Sequence, residues 1–590
     1  MKKSTLFLLF LTVFSFQKNF AQCLLERIPL NNQVNSSTVI VEGKVIAKTS
    51  YWDTRHFNIY TVNRVEVYKV FKGAYVEEIN VITPGGTIGT DAEVVTPSLQ
   101  LDIEDKGVFM LFEDNMLLDA PHALAQKFKP YSGPQGYYKY NVIDNLVINP
   151  FHVEEGIANF YQSVIQLTGI DPIEVRPFAF NRTANRSQED NQAIAIVTFS
   201  PTTVTAGTKT ILTINGTDFG TTPQNVGFRN SDDGGSSYVF ALASQILTWT
   251  DTQITVEVPS KAGTGTIAII NSAGDTILAS SSSSLAVDYA QLNATYDAGS
   301  GDYAYQTQHI NDDGSGGYVW QMFTDFDSNT AAKESFIRAF DSWRCETAIN
   351  WTIGATTTTD AVASDGVNVI RFDNGSELPD GVLGRCTSRY SGCIVGGTDL
   401  QWYVSELDIN FNDTTNWQYG PTLANGAQID FETVAVHELG HGHQLAHVIN
   451  SSAIMNYSLG FGVNKRVLSS NDIACAGDIQ SRSNSFTPCG QPSMVDFDCS
   501  TLSINESNLA EAISVYPNPA TNELFIKKLN NSIALDRIEI YSVIGKMVYS
   551  EIVEESVLEQ KLDLRTFSKG VYFLSISSGI NNTVKKIVIN

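Results

Sequence analysis

The chain has 590 residues, which exceeds the usual size of one domain and predicts about four domains. Its hydrophobic content of 43% is ordinary for globular protein. The formal charge of −25 argues against nucleic acid or an anionic membrane as a partner, because both require a basic face.

The N-terminus predicts a secretory signal peptide over residues 1–22. Two lysines precede an apolar run at 6–16, and Ala21 stands near the end of the segment. The apolar run is too short for a stable membrane anchor, and no later stretch is long enough to span a bilayer. We therefore expect an exported chain without a transmembrane segment. Cys23 nearly begins the mature chain, but Gln22 before it fits lipid attachment poorly.

Residues 23–180 predict a first, β-rich domain. Runs such as STVIVEGKVIAKTS and NIYTVNRVEVYKVFKG alternate in polarity and end in Gly or Asp turns. These features predict a small β-barrel, and the pattern is loosely similar to the OB-like netrin/TIMP-type modules.

A polar linker at 181–192 leads to a second β-rich segment at 194–289. Its alternating strands and Gly-rich turns are typical of a small β-sandwich. The segment resembles the immunoglobulin-like IPT/TIG domain through Ser200-Pro201, Ala206-Gly207-Thr208, the stretch Ile214 to Gly220, and Val258-Pro259. Such modules act as spacers or binding units, and nothing in this one indicates catalysis.

Residues 295–500 predict a mixed α+β domain. GGYVWQMF is typical of a strand, and 328–347 predicts a long helix with Ser328 or Asn329 as its N-cap. Strands are predicted at INWTIG, VNVIRFDN and SELDINFND, with a cysteine-bounded loop at 386–393. The helix prediction depends on apolar residues spaced at i, i+4 and i+7, namely Phe336, Phe340 and Trp343.

Six of the seven cysteines fall in this domain, and export favours disulfides among them. Six cysteines allow 15 pairings. Short loops favour the pairs Cys386–Cys393 and Cys489–Cys499, which leaves Cys345–Cys475.

A zinc site is predicted in the segment FETVAVHELGHGHQLAHVINSSAIMNY, residues 431–457. His437 and His441 are four residues apart, so on a helix they lie on one face and can share one zinc ion. Glu438 can then reach a zinc-activated water without binding the metal. His447 is the third candidate ligand, because a catalytic zinc takes three protein ligands and keeps one position open.

Read together, these residues form H-E-x-x-H-x-x-Q-x-x-H, which resembles the metzincin signature and is closest to the matrixin branch. The resemblance implies a methionine turn beneath the zinc at Met455. Gln444 stands where the family has Gly, and a non-Gly residue in a left-handed turn costs on the order of 1 kcal/mol. Met455-Asn456-Tyr457 is similar to the turn of astacins and serralysins, which makes Tyr457 a candidate additional zinc ligand and transition-state donor.

The same resemblance implies an edge strand that pairs with extended substrate, which we place near 392–402. The comparison with TIMPs, whose N-terminal cysteine caps a metalloprotease zinc, raises self-inhibition by Cys23, although a structural module with a free or externally paired thiol is favoured. No cysteine switch of the matrixin type is found in the sequence.

Two further features near the site have plain alternatives. His443 lies nearly across the helix from His441, which predicts an exposed or outer-shell residue rather than a ligand. The Asp-rich turn at 311–314 is a candidate Ca²⁺ site, although a solvated turn is the commoner explanation.

Residues 512–590 predict four or more short strands and closely resemble the C-terminal sorting domain of the type IX secretion system. That resemblance implies type IX secretion machinery as a partner and a location at the cell surface or outside the cell. It is carried by Tyr516-Pro517-Asn518-Pro519, Ile544-Gly545-Lys546 and Lys569-Gly570-Val571-Tyr572.

Taken together, the sequence predicts a multidomain protein in which an α+β metzincin-like domain is flanked by all-β modules. The predicted function is a secreted zinc metalloendopeptidase that hydrolyses extracellular proteins, with Glu438 as general base. The alternative is a surface adhesion or binding protein whose zinc site is structural. A fourth protein ligand closing the zinc would favour that alternative.

Overall fold

The computed structural model describes residues 25–121, 124–177, 194–297, 299, 301–375, 377–396, 399–457, 460–499, 513–528, 535–553, 559–578 and 581–590. It divides into two compact units, Met1–Val495 and Asp496–Asn590. The predicted signal peptide, Cys23 and the linker at 181–192 lie outside the described residues. Within the described part, no helix is both long and apolar enough to cross a membrane.

The first domain, residues 25–177, contains a closed β-barrel. Five strands pair in the order β1-β2-β3-β7-β6, and β6 closes the ring by pairing with β1. Alternating burial along β2 sends Val65 and Val67 inward, as the sequence pattern predicts. The predicted small barrel is thus present. Its elements are α1 (Leu30–Ser36), β1 (Val39–Trp52), β2 (Ile59–Lys72), β3 (Glu78–Pro84), β4 (Gly86–Ile88), β5 (Asp91–Thr96), β6 (Lys106–Glu113), β7 (Lys127–Pro130), β8 (Tyr137–Asn141), β9 (Leu146–Asn149), β10 (His152–Glu155), α2 (Ile157–Thr168) and β11 (Ile173–Glu174).

The second domain, residues 194–290, contains two sheets that share one apolar core. One sheet has the order β12-β14-β18-β17 and the other β13-β20-β19-β15-β16. Buried residues of both sheets, such as Leu212 and Ile269, belong to that core. The strands are β12 (Ala195–Ser200), β13 (Thr203–Ala206), β14 (Ile211–Thr217), β15 (Asn225–Asn230), β16 (Tyr238–Phe240), β17 (Ile246–Trp249), β18 (Gln253–Glu257), β19 (Ala262–Ile270) and β20 (Ile277–Ala290).

The third domain, residues 293–495, combines a mixed sheet with three longer helices. The sheet has the order β24-β23-β25-β27-β26, and only β26 runs antiparallel to its neighbour. The elements are β21 (Asn293–Asp297), β22 (Asp302–Gln306), β23 (Tyr318–Met322), α3 (Thr324–Ser328), α4 (Thr330–Thr347), β24 (Trp351–Ile353), β25 (Asn368–Phe372), β26 (Gly384–Val395), β27 (Asp399–Phe411), β28 (Trp417–Gln418), β29 (Ile429–Asp430), α5 (Phe431–Gly442) and α6 (Ser470–Ser485).

The long helix α4 follows the sequence prediction closely. Asn329 caps it by accepting a hydrogen bond from the amide of Ala332. Phe336, Phe340 and Trp343 are fully buried on one face. Trp343 also donates its indole N–H to the carbonyl of Val436 at 2.7 Å, which fixes α4 beneath α5.

The predicted pairing of the cysteines is wrong. Cys393 bonds Cys489, while Cys386 and Cys475 are free and buried. The predicted loop at 386–393 is part of the extended strand β26, which places its two cysteines roughly 23 Å apart along the chain. Cys386 and Cys393 are therefore near in sequence but too far apart in space to form a disulfide. Cys345 and Cys499 are also disulfide-bonded.

The predicted substrate-binding edge strand near 392–402 is also wrong. The edge strand begins earlier in the sequence, and its outer edge is already paired. This range spans the end of β26 and the start of β27, which pair with each other. The outer strand of the sheet is β26, and its other edge is covered by β5 of the first domain. Six residue pairs connect the two strands, from Cys386 with Thr96 to Ser391 with Asp91.

A buried charge cluster ties β5 to the third domain. The guanidinium of Arg389 lies 2.9 Å from Glu406 and 2.6 Å from Asp408, both on β27. It also lies 3.4 Å from Glu93 on β5 and donates to the side chain of Asn58 at 2.7 Å. One cation among three carboxylates leaves excess negative charge in a buried place.

We predict that this cluster makes the fold less stable at higher pH. Burial raises the pKa of Glu93 to about 7 from its ordinary 4.5, although Arg389 opposes the rise. Below pH 4.5 the carboxyl is protonated both folded and unfolded, so its contribution to stability is fully present. That contribution is lost as the pH rises from about 4.5 through about 7. Between these two values the folded state still holds a proton that the unfolded chain has released, and this difference favours unfolding as the pH rises. Burial raises the pKa of Glu406 and Asp408 in the same direction.

Thermal unfolding of the wild type and Glu93→Gln at several pH values between about 5 and 8 tests this prediction. Glutamine mimics the protonated carboxyl, so the variant should lose less stability than the wild type as the pH rises. Parallel pH profiles of the two proteins would contradict the prediction.

The C-terminal unit contains two sheets around a separate apolar core. They have the orders β30-β31-β34 and β33-β32-β35-β36. The strands are β30 (Ile513–Tyr516), β31 (Glu523–Lys528), β32 (Arg537–Ser542), β33 (Met547–Ile552), β34 (Glu559–Asp563), β35 (Gly570–Ser578) and β36 (Asn581–Ile589).

Candidate metal centre

Helix α5 presents the first two candidate ligands. Asp430 caps its N-terminus by accepting a hydrogen bond from the amide of Thr433 at 3.1 Å. His437 and His441 lie one turn apart, with their Nε2 atoms 3.0 Å from each other. That distance agrees with the sequence prediction that both imidazoles face one point.

The helix ends at a left-handed residue, and the chain then turns back. Gln444 has φ of 72°, in the region that favours glycine, so the turn has the strained left-handed geometry rather than a different one. The amide of Leu445 donates to the carbonyl of Gly440 at 3.0 Å, which closes the last turn of α5. This reversal brings His447 back to the face that carries His437 and His441.

The three histidines form one cluster. Their ligating atoms all lie within 4.8 Å of one another, and all three residues are buried. Among the residues that the structure describes, no other group of three or more His, Cys, Asp or Glu side chains has metal-binding geometry. The candidate Ca²⁺ turn at 311–314 is therefore not supported. Its Asp313 carboxylate instead accepts the amide of Gly317 at 3.2 Å.

Each histidine of the cluster is held through its Nδ1 atom. His437 faces the carbonyl of Ile454 at 2.9 Å, and His441 faces that of Leu445 at 2.9 Å. His447 faces the carboxylate of Asp232 at 2.9 Å. With every Nδ1–H given an acceptor, the Nε2 lone pairs are left for a metal ion.

The electrostatics of the cluster suit metal ligation. Burial, together with the neighbouring imidazoles, lowers the pKa of His437 well below its ordinary value. The same two causes lower the pKa of His441 to about 3. Both rings are therefore neutral at physiological pH, which is the form that binds a metal. Three neutral imidazoles are a ligand set that suits zinc.

Glu438 lies between the two histidines of α5 in sequence and packs against Gly384, at the start of β26. The residue is fully buried, and neither carboxylate oxygen has a hydrogen-bond partner within the described residues. Burial raises its pKa well above the ordinary value, and nearby Arg385 opposes the rise. A buried carboxylate without a partner is costly for the fold, so it indicates a functional role.

Met455, the candidate for the methionine turn, packs against α5. A Cβ placed on Gly440 would come within 2.3 Å of its sulfur, so the methionine packs directly against α5 between the two histidines. The turn is held from α6 by Asp472, whose carboxylate accepts the amides of Ile454 at 2.9 Å and Met455 at 3.3 Å. Sequence reasoning missed Asp472, although Ser469 three residues earlier completes a capping box that could have drawn attention to it.

Two further residues singled out by the sequence, Tyr457 and His443, lie outside the histidine cluster. The side chain of Tyr457 packs against the second domain, because a Cβ on Gly234 would lie 2.3 Å from its hydroxyl. Of the two alternatives predicted for His443, an exposed or an outer-shell residue, burial excludes the exposed one. His443 is fully buried among Trp343, Trp351 and His309, and its Nε2 lies 3.2 Å from the hydroxyl of Thr347.

The departure from Gly at position 444 is explained by the buried side chain of Gln444. Its Oε1 accepts hydrogen bonds from the hydroxyl of Tyr390 at 2.7 Å and that of Thr307 at 2.9 Å. Its Nε2 donates to the carbonyl of Gly442 at 3.1 Å. These bonds offset the strain of the left-handed backbone and connect the turn to β26.

We predict that Gln444→Gly destabilises the protein, although glycine relieves the backbone strain. The relief is worth about 1 kcal/mol. Two buried hydroxyls would lose their acceptor, at about 1–3 kcal/mol each, so a net loss of about 1–5 kcal/mol is expected. Urea unfolding of the variant and the wild type measures the difference. A variant that is more stable than the wild type would show that strain dominates at this turn.

Comparison with known proteins agrees with this geometry. Residues 318–480 match the matrixin family. The matrixin domain thus includes all three histidines, Glu438 and Met455. Residues 195–289 match the IPT/TIG domain, and residues 514–590 match the secretion system C-terminal sorting domain. The three resemblances drawn from the residues are confirmed.

The sorting domain indicates type IX secretion to the cell surface or the extracellular space. The Cys393–Cys489 disulfide is consistent with such an oxidising location. The matrixin match also implies zinc as the metal of the histidine cluster.

One curated relative is Metalloendoproteinase 2-MMP of Arabidopsis thaliana, which is 32% identical over 146 residues. The match covers 24% of this chain and 35% of the relative, so this chain spans well under two thirds of the relative's length. Among solved structures, the sulfur carrier protein SoxY from Chlorobium limicola f thiosulfatophilum is 15% identical, with a TM-score of 0.11. That comparison covers 15% of this chain and 98% of SoxY, and at such a score it carries no argument.

Proposed function

We propose that this protein is a secreted zinc metalloendopeptidase that hydrolyses peptide bonds of extracellular proteins. The observation that carries the proposal is the pairing of three convergent buried imidazoles with an unpartnered buried carboxylate, Glu438. The matrixin match and the metalloendoproteinase relative support the same reaction class.

The residues divide the chemistry between them. His437, His441 and His447 would hold the zinc, which when bound lowers the pKa of water and polarises a peptide carbonyl. Glu438 would accept the proton of the attacking water and then deliver it to the leaving amine nitrogen. Its position beside the first ligand, His437, on the same helix supports this role.

Tyr457 is proposed as a donor to the developing oxyanion or as an additional ligand. It follows the methionine turn directly, and its hydroxyl lies at the turn of the second domain that also carries Asp232. Replacement by Phe should lower the rate of cleavage while the zinc content stays the same, if this role holds.

A structural zinc site in a binding protein is the competing idea. It would require a fourth protein ligand to close the coordination sphere. Among the described residues, no fourth His, Cys, Asp or Glu joins the three histidines. The histidine set therefore favours an open position and hydrolysis.

Cleavage of casein by the purified chain tests the proposal. We expect peptides that disappear when zinc is removed with a chelator and return when zinc is added back. Cleavage that persists in the zinc-free protein would refute a zinc-dependent reaction. Intact casein in the presence of bound zinc would count against the proposal, unless the variants that uncover β26 cleave it.

A further inference from the structure

The third histidine of the cluster is anchored differently from the other two. His437 and His441 face backbone carbonyls of their own domain. His447 faces the carboxylate of Asp232, which lies 215 residues earlier in the second domain. The side chain of His447 is 7% exposed and that of Asp232 is 39% exposed, so the pair lies at the rim of the site.

The turn that carries Asp232 is held firmly. The backbone amide of Asp232 donates to the side chain of Asn230 at 3.1 Å, within the short turn Ser231–Asp233. Its second carboxylate oxygen lies 3.2 Å from the ammonium of Lys261. The carboxylate therefore has one oxygen fixed by Lys261 and the other directed at His447.

The second domain is also docked on both sides of His447. One residue before it, the amide of Ala446 donates to the carbonyl of Ala290 at 2.8 Å. Two residues after it, Ile449 packs so tightly against Gly263 that a Cβ there would lie 2.5 Å from its side chain. These contacts hold the histidine and the carboxylate in register.

We propose that Asp232 is a positioning residue of the zinc site and that the second domain thereby completes this site. The carboxylate accepts the Nδ1–H of His447, fixes the tautomer and turns Nε2 toward the metal. A carboxylate in this position also makes the ligand more basic. The inference rests on the proposed zinc site, and it gives the immunoglobulin-like domain a role in metal binding.

Zinc affinity of the full chain tests the proposal, measured by competition with a chromophoric chelator. Asp232→Ala should weaken zinc binding by about 10- to 100-fold. Asp232→Asn should lose less zinc affinity than Asp232→Ala, because the amide oxygen of asparagine can still accept the Nδ1–H of His447. Asp251→Asn is the matched control, since this aspartate of the same domain only accepts the amide of Gly220 on the surface.

Thermal unfolding of the zinc-free proteins separates positioning from folding. We expect Asp232→Asn and the wild type to unfold alike without zinc and to differ in zinc affinity. Equal zinc affinity of the wild type and both Asp232 variants would overturn the positioning role. A wild type that binds no zinc would instead refute the proposed function, so the two failures are distinguishable.

A second, independent observation concerns the strand beside Glu438. A Cβ on Gly384, the first residue of β26, would lie 3.1 Å from the Glu438 side chain. An extended peptide that reaches Glu438 along the sheet would therefore pair with the outer edge of β26, the usual mode of β-augmentation. In the structure β5 occupies this edge from Cys386 onward, two residues from Gly384.

We infer that β5 keeps the full chain latent by occupying the edge that an extended substrate needs. Glu93 secures the strand through the buried guanidinium of Arg389. Displacement of β5 would free the backbone N–H and C=O groups of β26 for a peptide. The first domain then acts as an internal competitor, and the apparent Kd for a peptide equals the intrinsic Kd divided by the fraction of time that the edge is uncovered.

Ala92→Arg in the full chain tests this inference, because it places a cation at a buried, apolar position of β5. Hydrogen exchange of 384–391 should increase, while α5 stays protected. A peptide hydroxamate should bind at least about tenfold more tightly than to the wild type. The control is Glu78→Arg, which changes an exposed residue of β3 on the same barrel.

Val94→Pro is the second variant, since proline cannot donate within the β5–β26 ladder. The latency inference would be overturned if, in either variant, hydrogen exchange shows that the edge of β26 is exposed while the hydroxamate binds no more tightly than to the wild type. This readout requires bound zinc but no turnover, so it is independent of whether the protein cleaves peptides.

Discussion

Glu438→Gln is expected to reduce peptide cleavage by about 10²- to 10⁴-fold, because it removes the group that moves the proton. Glutamine has nearly the same shape, so the three histidines should keep their positions and the zinc content should stay that of the wild type. Burial of the neutral amide should also be no more costly than burial of the carboxylate. Cleavage rates and zinc content measured on the same preparations give both results.

Glu432→Gln is the matched control for this experiment. Glu432 lies on the same helix and pairs with Arg338 at 2.8 Å, away from the histidine cluster. It should keep wild-type cleavage per folded molecule. If Glu438→Gln retained more than a few per cent of the activity with full zinc, another residue would have to be the base.

Asp472→Ala is expected to destabilise the third domain by about 3–5 kcal/mol, the range of a lost buried polar network. Asp472 is buried and accepts three backbone amides, those of Ile454, Met455 and Ser469. Alanine would leave all three donors without an acceptor, beneath the zinc site. The methionine turn should loosen, and zinc affinity should fall together with stability.

Denaturant unfolding with zinc titration measures both effects of Asp472→Ala. Asp478→Ala on the same helix is the control, because its half-exposed carboxylate should contribute less than about 1 kcal/mol. A loss in Asp472→Ala no greater than that of the control would show that the turn is held by Met455 packing alone.

Much of the candidate site was predictable because its determinants are local. The spacing of His437 and His441 specifies one helical face, and Gln444 stands where the chain must turn back. The apolar spacing in 328–347 predicted α4, and Asn329 caps it as expected. Such features depend on residues within a few turns of each other, so the sequence carries them directly.

The tertiary structure decided the contacts between distant segments. Asp232 reaches His447 across 215 residues, and β5 pairs with a strand almost 300 residues later. Neither contact has a signature in spacing, since a carboxylate or an alternating strand can pair with many partners. The cysteine pairs were mispredicted for the same reason. Cys393 bonds Cys489, which is 96 residues away in sequence, whereas residues that are near in sequence on an extended strand lie far apart in space.

The sequence by itself thus determined the zinc-binding motif, its general base candidate and the order of the modules. Only the tertiary structure showed which distant segments lie against the motif, namely Asp232 beside His447 and β5 along the adjacent strand β26. The physical reason is that local backbone geometry follows from neighbouring residues, whereas docking depends on surfaces assembled from the whole chain.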